Sequence, residues 1–239
     1  SILDEKDAKV LVKCPRPLIR ILSMALPKAS FYGPEDELPF FDFHCPLMSL
    51  PLALGISSPS GVYRPPYIIT PASCVKKWKS YFDEFTLPRV GLILEGKRSH
   101  QNDHLRSIKS DEFIDFLPAG ADYFILQKEL SPQLKAIAGS RADIHCCADL
   151  LEDFGDTAAA CNQMDLIFSV DTSVAHLAGA LGNKIFLLLH FQSDWRWQLN
   201  SSKTYWYPEM RIIRLERDKK WPSIFKIVES KIKQLVHHS

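Results

Sequence analysis

The 239-residue chain has no apolar run as long as a membrane span, and no basic and apolar leader opens it. An excess of charge of one sign is also lacking: the formal net charge of +1 does not indicate a nucleic-acid or polyanionic partner. The six cysteines show no repeated spacing, whereas secreted disulfide scaffolds are shorter and denser in cysteine. We therefore expect a globular, cytoplasmic protein with reduced thiols, no transmembrane segment and no nucleic-acid partner.

Common signatures of catalysis are missing too. No strand is followed by G-x-G-x-x-G, which argues against a dinucleotide oxidoreductase, and neither a Walker loop nor G-x-S-x-G occurs. The tripeptide His145–Cys146–Cys147 could suggest a metal site. Neighbours on a strand point to opposite faces, however, and no second ligand pair completes such a site. The sequence therefore predicts no metal and no cofactor.

Strand and helix patterns divide the chain into two parts. Over residues 88–239 a strand followed by a helix recurs about five times, which predicts one doubly wound α/β domain. Residues 1–87 have a shorter, less regular α/β pattern and are predicted to form a separate lobe. Within that lobe, FFDFH at 40–44 alternates weakly and suggests a strand. In the larger domain, Ser110 and Asp156–Thr157 are predicted to start helices.

The most regular stretch is DLIFSVDTSVAHLAGALGNKIFLLL at 165–189. Its two apolar runs, 166–170 and 185–189, predict parallel strands that are covered on both faces. The helix between them is predicted to stop at Gly182–Asn183. The turn before this helix lies at the carboxyl ends of the strands, where ligands of open parallel sheets bind.

The residues of that turn have the chemistry of an anion site. Free N–H groups and the helix dipole favour an anion there, and the hydroxyls of Thr172 and Ser173 can bond to phosphate oxygens. Asp171 precedes them, and His176 follows Thr172 by four residues, so that both can face the same side of the helix. The alternative is that Asp171 or Thr172 only caps the helix and that His176 is a packed histidine.

A second polar loop, EGKRSHQNDHLRS at 95–107, follows a predicted buried strand and lies at the same edge of the sheet. Gly96 would let the backbone approach a ligand, and Lys97, Arg98 or Arg106 could neutralise a phosphate. The alternative is an ordinary solvated loop with surface charges.

A long aromatic and polar segment, HFQSDWRWQLNSSKTYWYPEM, follows the second strand of the regular stretch and contains three of the five tryptophans. Long loops in compact domains are usually functional or packed against another domain. Asp194 and Arg196 in this segment could contact a ligand or pair with each other.

Three pieces of the sequence together resemble one family. They are FDFHCPLMSLPLALG at 41–55, EGKRSHQNDHLRSI at 95–108, and DLIFSVDTSVAHLAGALG at 165–182 followed by DWRWQL and YWYPEMRI. In this order they are similar to bacterial glycosyltransferases of family 9, the heptosyltransferase-like family, and especially to the branch often fused to tetratricopeptide repeats. The D-T-x-x-x-H piece alone is moderately specific, and the combination of DWRW with WYP is more specific.

The resemblance implies a GT-B arrangement, in which two Rossmann-like lobes hold a nucleotide-sugar between them and the carboxyl-terminal lobe binds the nucleoside diphosphate. In such enzymes no metal is needed, because basic groups and a helix terminus stabilise the departing diphosphate. The resemblance implies nucleotide-sugar binding by Gly96, Lys97, Asp171, Thr172, Ser173 and His176.

The sequence departs from the family at its amino-terminal side. Family members have a further strand and a glycine-rich loop ahead of the segment that starts here at Lys9, and the proposed general base lies on that loop. Either the first strand–helix unit is absent from this sequence, which leaves a truncated N-terminal lobe, or the protein is a shortened relative with impaired catalysis. The sequence also shows no tetratricopeptide array, which suggests a missing upstream repeat domain. Asp42 and His44 are the candidates for the base in the part that is present.

The function implied is a metal-independent inverting transfer of a sugar from a nucleotide-sugar to a glycan, lipopolysaccharide or protein acceptor. One alternative is a catalytically impaired nucleotide-sugar-binding or regulatory module, which the missing loop favours. Another is an unrelated doubly wound protein, such as an epimerase-like or phosphate-binding domain, because one fold supports many functions.

Overall fold

The computed structural model of the protein describes residues 8–57, 66–97, 99, 101 and 103–238. The strands in these ranges are β1 (Leu11–Lys13), β2 (Ser30–Tyr32), β3 (Arg89–Ile93), β4 (Asp122–Ile125), β5 (Ile144–Cys146), β6 (Leu166–Val170), β7 (Ile185–Leu189) and β8 (Met210–Arg214). The helices are α1 (Arg16–Ala25), α2 (Leu50–Ala53), α3 (Ala72–Phe82), α4 (Asp103–Arg106), α5 (Ser110–Ile114), α6 (Pro132–Ile137), α7 (Phe154–Cys161), α8 (Ser173–Ala180) and α9 (Pro222–His237). Short 3-10 helices occupy Leu47–Ser49, Ala148–Leu150 and Trp195–Trp197.

Six strands form one wholly parallel sheet in the order β5-β4-β3-β6-β7-β8. Counted from β3, this is the order 3-2-1-4-5-6 of a Rossmann-like doubly wound domain. The direction of winding reverses between β3 and β6, so the loops that leave these two strands diverge. A crevice opens at such a reversal, outside the carboxyl ends of the strands.

Helices cover both faces of the sheet, which explains why its strands are nearly continuous apolar runs. Neighbouring residues on a strand pack into different cores: Leu92 and Phe168 face the side covered by α5 and α9, whereas Ile93 and Ile167 face the side covered by α3, α7 and α8. The α/β class and the doubly wound parallel sheet predicted from the sequence are therefore confirmed.

Helix α3 contributes to the core of the six-stranded sheet. Trp78 and Phe82 are 1% and 0% exposed, and the ring of Phe82 lies 4.7 Å from that of Phe124 on β4. The indole N–H of Trp78 donates a 2.8 Å hydrogen bond to the carboxylate of Asp156 on α7. The domain boundary at residues 87 and 88 stays a prediction, but this helix on its N-terminal side packs with the C-terminal sheet.

The amino-terminal part contains a small β-α-β unit. Strands β1 and β2 pair in parallel, with Leu11 opposite Ser30, and α1 connects them. Ile21 of α1 is buried against Ala158 of α7 and Leu177 of α8, so this unit rests on the outer helices of the larger sheet. A GT-B arrangement of two lobes, the first of them truncated, stays a prediction.

Some local predictions are confirmed and others are wrong. The predicted strand–helix–strand stretch is present as β6, α8 and β7, but FFDFH at 40–44 forms no strand. Phe40 and Phe43 are 91% and 93% exposed, so the weak alternation there has no partner strand to cover it. Ser110 lies inside α5 rather than at its cap, and Asp153 rather than Asp156 caps α7. Among the described helices, none is long and apolar enough to cross a membrane.

Candidate functional site

A cleft of about 700 Å³ opens at the carboxyl ends of β6 and β7, beside the loop that follows β3. It therefore lies at the reversal of the sheet, where the topology favours a ligand. Its walls are formed by Leu105 and Arg106 after β3, by Asp171, Thr172, Ser173 and His176 after β6, and by Leu189, His190, Gln192, Ser193, Asp194 and Arg196 after β7. The four predicted residues of the D-T-x-x-x-H turn are thus brought together at one cleft.

The amino terminus of α8 is directed at this cleft. The side-chain oxygen of Thr172 caps the helix by accepting a 3.3 Å hydrogen bond from the Ala175 amide. Within the described residues, the amides of Ser173 and Val174 make no hydrogen bond, as is usual for the first turn of a helix. These two N–H groups and the helix dipole give this wall a positive potential. Thr172 therefore caps the helix, and its hydrogen bond leaves the amides of Ser173 and Val174 without a partner among the described residues.

Arg106 connects the two loops that meet at the reversal. Its Nη1 donates a 2.9 Å hydrogen bond to the carbonyl oxygen of Asp171, and its Nε lies 3.1 Å from the Asp103 carboxylate. Its Nη2 makes no hydrogen bond to a described residue, and Arg106 lines the cleft. A methyl group on Gly96 would collide with Asp103 and Arg106, so the missing side chain at this position makes room for the guanidinium.

Gly96 and Lys97 do not line the cleft. The Gly96 amide donates a 2.9 Å hydrogen bond to the Ser107 hydroxyl, and Lys97 is exposed to solvent. Their part in nucleotide-sugar binding stays a prediction, whereas Arg106 is the cation of this loop that faces the cleft. Arg98 lies outside the described residues.

His176 lies in a network of aromatic and charged groups. Its ring stacks on Trp197 at 4.9 Å, and its Nδ1 lies 3.0 Å from the hydroxyl of Tyr207, which also bonds to Tyr67. Its Nε2 lies 3.8 Å from the carboxylate of Asp171. His176 is therefore held in place by packing and also remains at the surface of the cleft.

The protonation of His176 follows from these surroundings. Burial lowers its pKa, and the positive charge of Arg196 lowers it further, whereas the carboxylates of Asp171 and Asp194 raise it. The pKa of His190, across the cleft, is also lowered by burial and by His104. Both shifts in pKa favour the neutral imidazole.

The 3-10 turn Trp195–Trp197 carries Arg196 to the rim. Its guanidinium pairs with Asp194 at 2.9 Å, stacks over the ring of Trp195 at 5.2 Å, and reaches the sulfur of Met48 at 3.6 Å. The charges of the two arginines and two aspartates that line the cleft sum to zero. The amides at the start of α8 add positive potential to this charge-balanced lining.

Asp42 and His44 lie outside the cleft. Both are exposed, in an irregular segment where His44 contacts only the edge of the Phe41 ring at 6.2 Å. Their role as a base stays a prediction. Gln192 and Ser193 also line the cleft but were not predicted as site residues. Their position shortly after β7, at the same edge of the sheet, could have indicated them.

One group of side chains elsewhere has ligand atoms close enough for a metal ion: Cys74, Asp153 and Asp156. The oxygens of Asp156 accept hydrogen bonds from Trp78 and the amide of Glu152, and Asp153 caps α7. These bonds account for the carboxylates as structural groups.

No protein-family model matches the chain. Among curated proteins, it is 36% identical to Protein FlbA of Caulobacter vibrioides over 73 residues, which are 30% of this chain and 12% of FlbA. The chain thus spans a small part of that relative.

Two solved structures are similar to the chain. One is the glycosyl transferase family 9 from Veillonella parvula DSM 2008, with 14% identity and a TM-score of 0.48, over 70% of this chain and 45% of that one. The other is the ADP-heptose lps heptosyltransferase II of E. coli, with 14% identity and a TM-score of 0.49, over 70% of this chain and 53% of that one. The chain spans about half the length of each, and at 14% identity the similarity concerns the fold only.

Proposed function

We propose that the cleft binds the diphosphate of a nucleotide-sugar and that the chain is a glycosyltransferase domain. One observation supports this above the others: Arg106 and the amino-terminal turn of α8, whose first two amides bond to no described residue, line one cleft at the reversal of a Rossmann-like sheet. The cleft has the size of a small-molecule site. The resemblance of the D-T-x-x-x-H, DWRW and WYP pieces to family 9 agrees with this proposal.

In this proposal the amides of Ser173 and Val174 bond to phosphate oxygens, and the Thr172 hydroxyl keeps its capping role. Arg106 adds one charge-assisted hydrogen bond from the opposite loop. The same groups stabilise the negative charge that develops on the nucleoside diphosphate as the bond to the sugar breaks, so the transfer needs no metal. An acceptor hydroxyl, on a glycan, lipopolysaccharide or protein, would attack the anomeric carbon after a base removes its proton.

A second candidate is a module that binds a nucleotide-sugar without transferring the sugar. The position of Asp42 and His44 outside the cleft favours it, because a base must lie within hydrogen-bonding reach of the acceptor hydroxyl. The two candidates share the diphosphate site and differ only in turnover. Neither assigns the nucleobase or the sugar.

Calorimetry with ADP, UDP, GDP and CDP, and with pyrophosphate alone, tests the shared site. Replacing Arg106 with methionine should weaken binding of the tightest ligand by roughly ten- to hundredfold, because a hydrogen bond between charged groups is lost. Lys109→Met, which follows the same loop but is exposed and outside the cleft, is the matched control and should bind as the wild type does. A protein that binds none of these ligands, or in which Arg106→Met and Lys109→Met bind equally well, would refute the proposed site.

Turnover separates the two candidates. The wild-type protein is incubated with a panel of ADP- and UDP-sugars and candidate acceptors, and release of the nucleoside diphosphate is followed by a coupled assay. Release that depends on the acceptor supports the transferase. Binding without release across the panel supports the module.

A further inference from the structure

Arg214, the last residue of β8, lies behind the wall of the cleft. Its guanidinium donates hydrogen bonds to the hydroxyl of Ser193, to the carbonyl oxygen of Trp197 at 3.0 Å, and to the carbonyl oxygen of Gln198. All three acceptors belong to the turn after β7, and Ser193 itself lines the cleft. One side chain thus ties the end of β8 to both ends of the turn that forms one cleft wall.

The charge of Arg214 is not neutralised by any carboxylate in the described part of the chain. Within the described residues no carboxylate lies in ion-pair range of it, and its acceptors are two carbonyls and a hydroxyl. Burial lowers the pKa of this guanidinium, which nevertheless stays charged at any physiological pH. Arg214 thus places a positive charge behind a cleft wall, while the charges of the residues that line the cleft sum to zero.

The turn held by Arg214 has a backbone that does not form easily by itself. Gln198 has φ 53° and ψ 162°, close to a region that glycine alone adopts readily, and no other described non-glycine residue has a positive φ. Such a conformation persists where the surrounding contacts over-determine it. Arg214 supplies two of these contacts, and the fully buried ring of Trp197 supplies more.

The hydrogen bond from Arg214 leaves the hydrogen of the Ser193 hydroxyl available to a ligand. The Ser193 oxygen accepts from Arg214, and its own hydrogen is donated to no described residue. Ser193 lines the cleft, so a ligand bound there can accept this hydrogen. A guanidinium that donates to a hydroxyl also makes that hydroxyl a stronger donor.

We propose that Ser193 is a direct hydrogen-bond donor to the anionic part of the bound ligand and that Arg214 is the residue that positions it. This inference rests on the proposed function, in that it requires a phosphate group in the cleft. It adds the wall formed by the turn after β7 to the wall formed by α8, so that the phosphates are bound from two sides.

A double-mutant cycle on pyrophosphate affinity, measured by calorimetry, tests the pair. Ser193→Ala and Arg214→Lys should each weaken binding by about tenfold, and the double variant should be weakened by about the same factor rather than by the product. Arg211→Lys, on the same strand but bonded only to the carbonyls of Pro208 and Met210, and Ser201→Ala, on an exposed part of the same loop, should leave affinity unchanged. A merely structural Arg214 would lower thermal stability and give independent, multiplying effects.

The outcomes separate this inference from the proposed function. If the wild-type protein binds neither pyrophosphate nor a nucleoside diphosphate, the proposed function is wrong, and this inference with it. If the wild type binds and Arg106→Met weakens it while Ser193→Ala does not, the proposed function stands and the Ser193–Arg214 pair is refuted. If Arg214→Lys no longer unfolds cooperatively, the test rests on Ser193→Ala. Unchanged pyrophosphate affinity in Ser193→Ala would then overturn the inference.

Discussion

Replacing Asp171 with asparagine is expected to lower the pKa of His176. The carboxylate lies 3.8 Å from Nε2, and the side chains of both residues are partly exposed, 22% for Asp171 and 36% for His176. Two unit charges at this distance interact by about 1 kcal/mol in a water-like dielectric, which corresponds to a pKa change of about 0.8. The substitution keeps the volume of the side chain and removes only its charge, so the effect on His176 is electrostatic.

The titration of His176 is measured from the chemical shift of its Cε1 proton, assigned by comparison with His176→Gln. Asp149→Asn, at an exposed position remote from the cleft, is the control and should leave the titration unchanged. The protein with Asp171→Asn should show a lower midpoint than the wild type, whose pKa is already lowered by burial. An unchanged or higher midpoint would mean that Asp171 does not act on this imidazole and that the network is misassigned.

The same imidazole couples ligand binding to pH. A diphosphate in the cleft favours the protonated form of His176, so its pKa is higher in the complex than in the free protein. The additional affinity is present in full below the lowered pKa of the free protein and is lost as the pH rises through the pKa of the complex. Calorimetry in two buffers of different ionisation enthalpy should therefore detect proton uptake on binding near the pKa of the complex, and proton release would contradict this coupling.

Two substitutions test the packing around the site. Gly179→Ala is expected to lower the free energy of unfolding by about 1–2 kcal/mol, because the new methyl group would lie under 3.0 Å from the ring of Tyr207. Gly139→Ala is its control, since the nearest atom there would lie at 3.9 Å, and equal denaturant midpoints for the two variants would contradict the clash. Gln198→Gly should raise the free energy of unfolding by about 1 kcal/mol by relieving its positive φ. Gln192 has no such strain, so Gln192→Gly should lower the free energy of unfolding. If both variants lower the free energy of unfolding by a similar amount, Gln198 is unstrained.

The sheet could be predicted because its strands are buried on both faces. Runs such as LIFSV at 166–170 and IFLLL at 185–189 can be recognised from the sequence alone, because a strand that is buried on both faces is apolar at nearly every position. The irregular segment at 40–46 lacks this signal. Its aromatics are exposed in the structure, and an alternation that faces solvent on both sides does not specify a strand.

The site was predicted where chemistry follows a recognisable turn, as at Asp171 to His176. The sequence could not distinguish between residues of similar chemistry when only the fold determines which of them faces the cleft. Lys97 and Arg106 are both cations of one loop, but the short helix α4 turns only Arg106 back to the carbonyl of Asp171, 65 residues away in sequence. A charge at the end of a strand, like that of Arg214, has no pattern to mark it, because its acceptors lie on another loop.

The cleft is held by three side chains that each cross between loops. Arg106 joins the loop after β3 to the turn after β6, Tyr207 joins the segment before β8 to His176 on α8, and Arg214 joins β8 to Ser193. All three bonds join residues between 106 and 214. The proposed diphosphate site is therefore held by contacts between loops of the six-stranded sheet, whereas Asp42 and His44, the bases proposed from the sequence, lie outside the cleft. If either of them is the base, its replacement should abolish transfer and leave diphosphate binding intact.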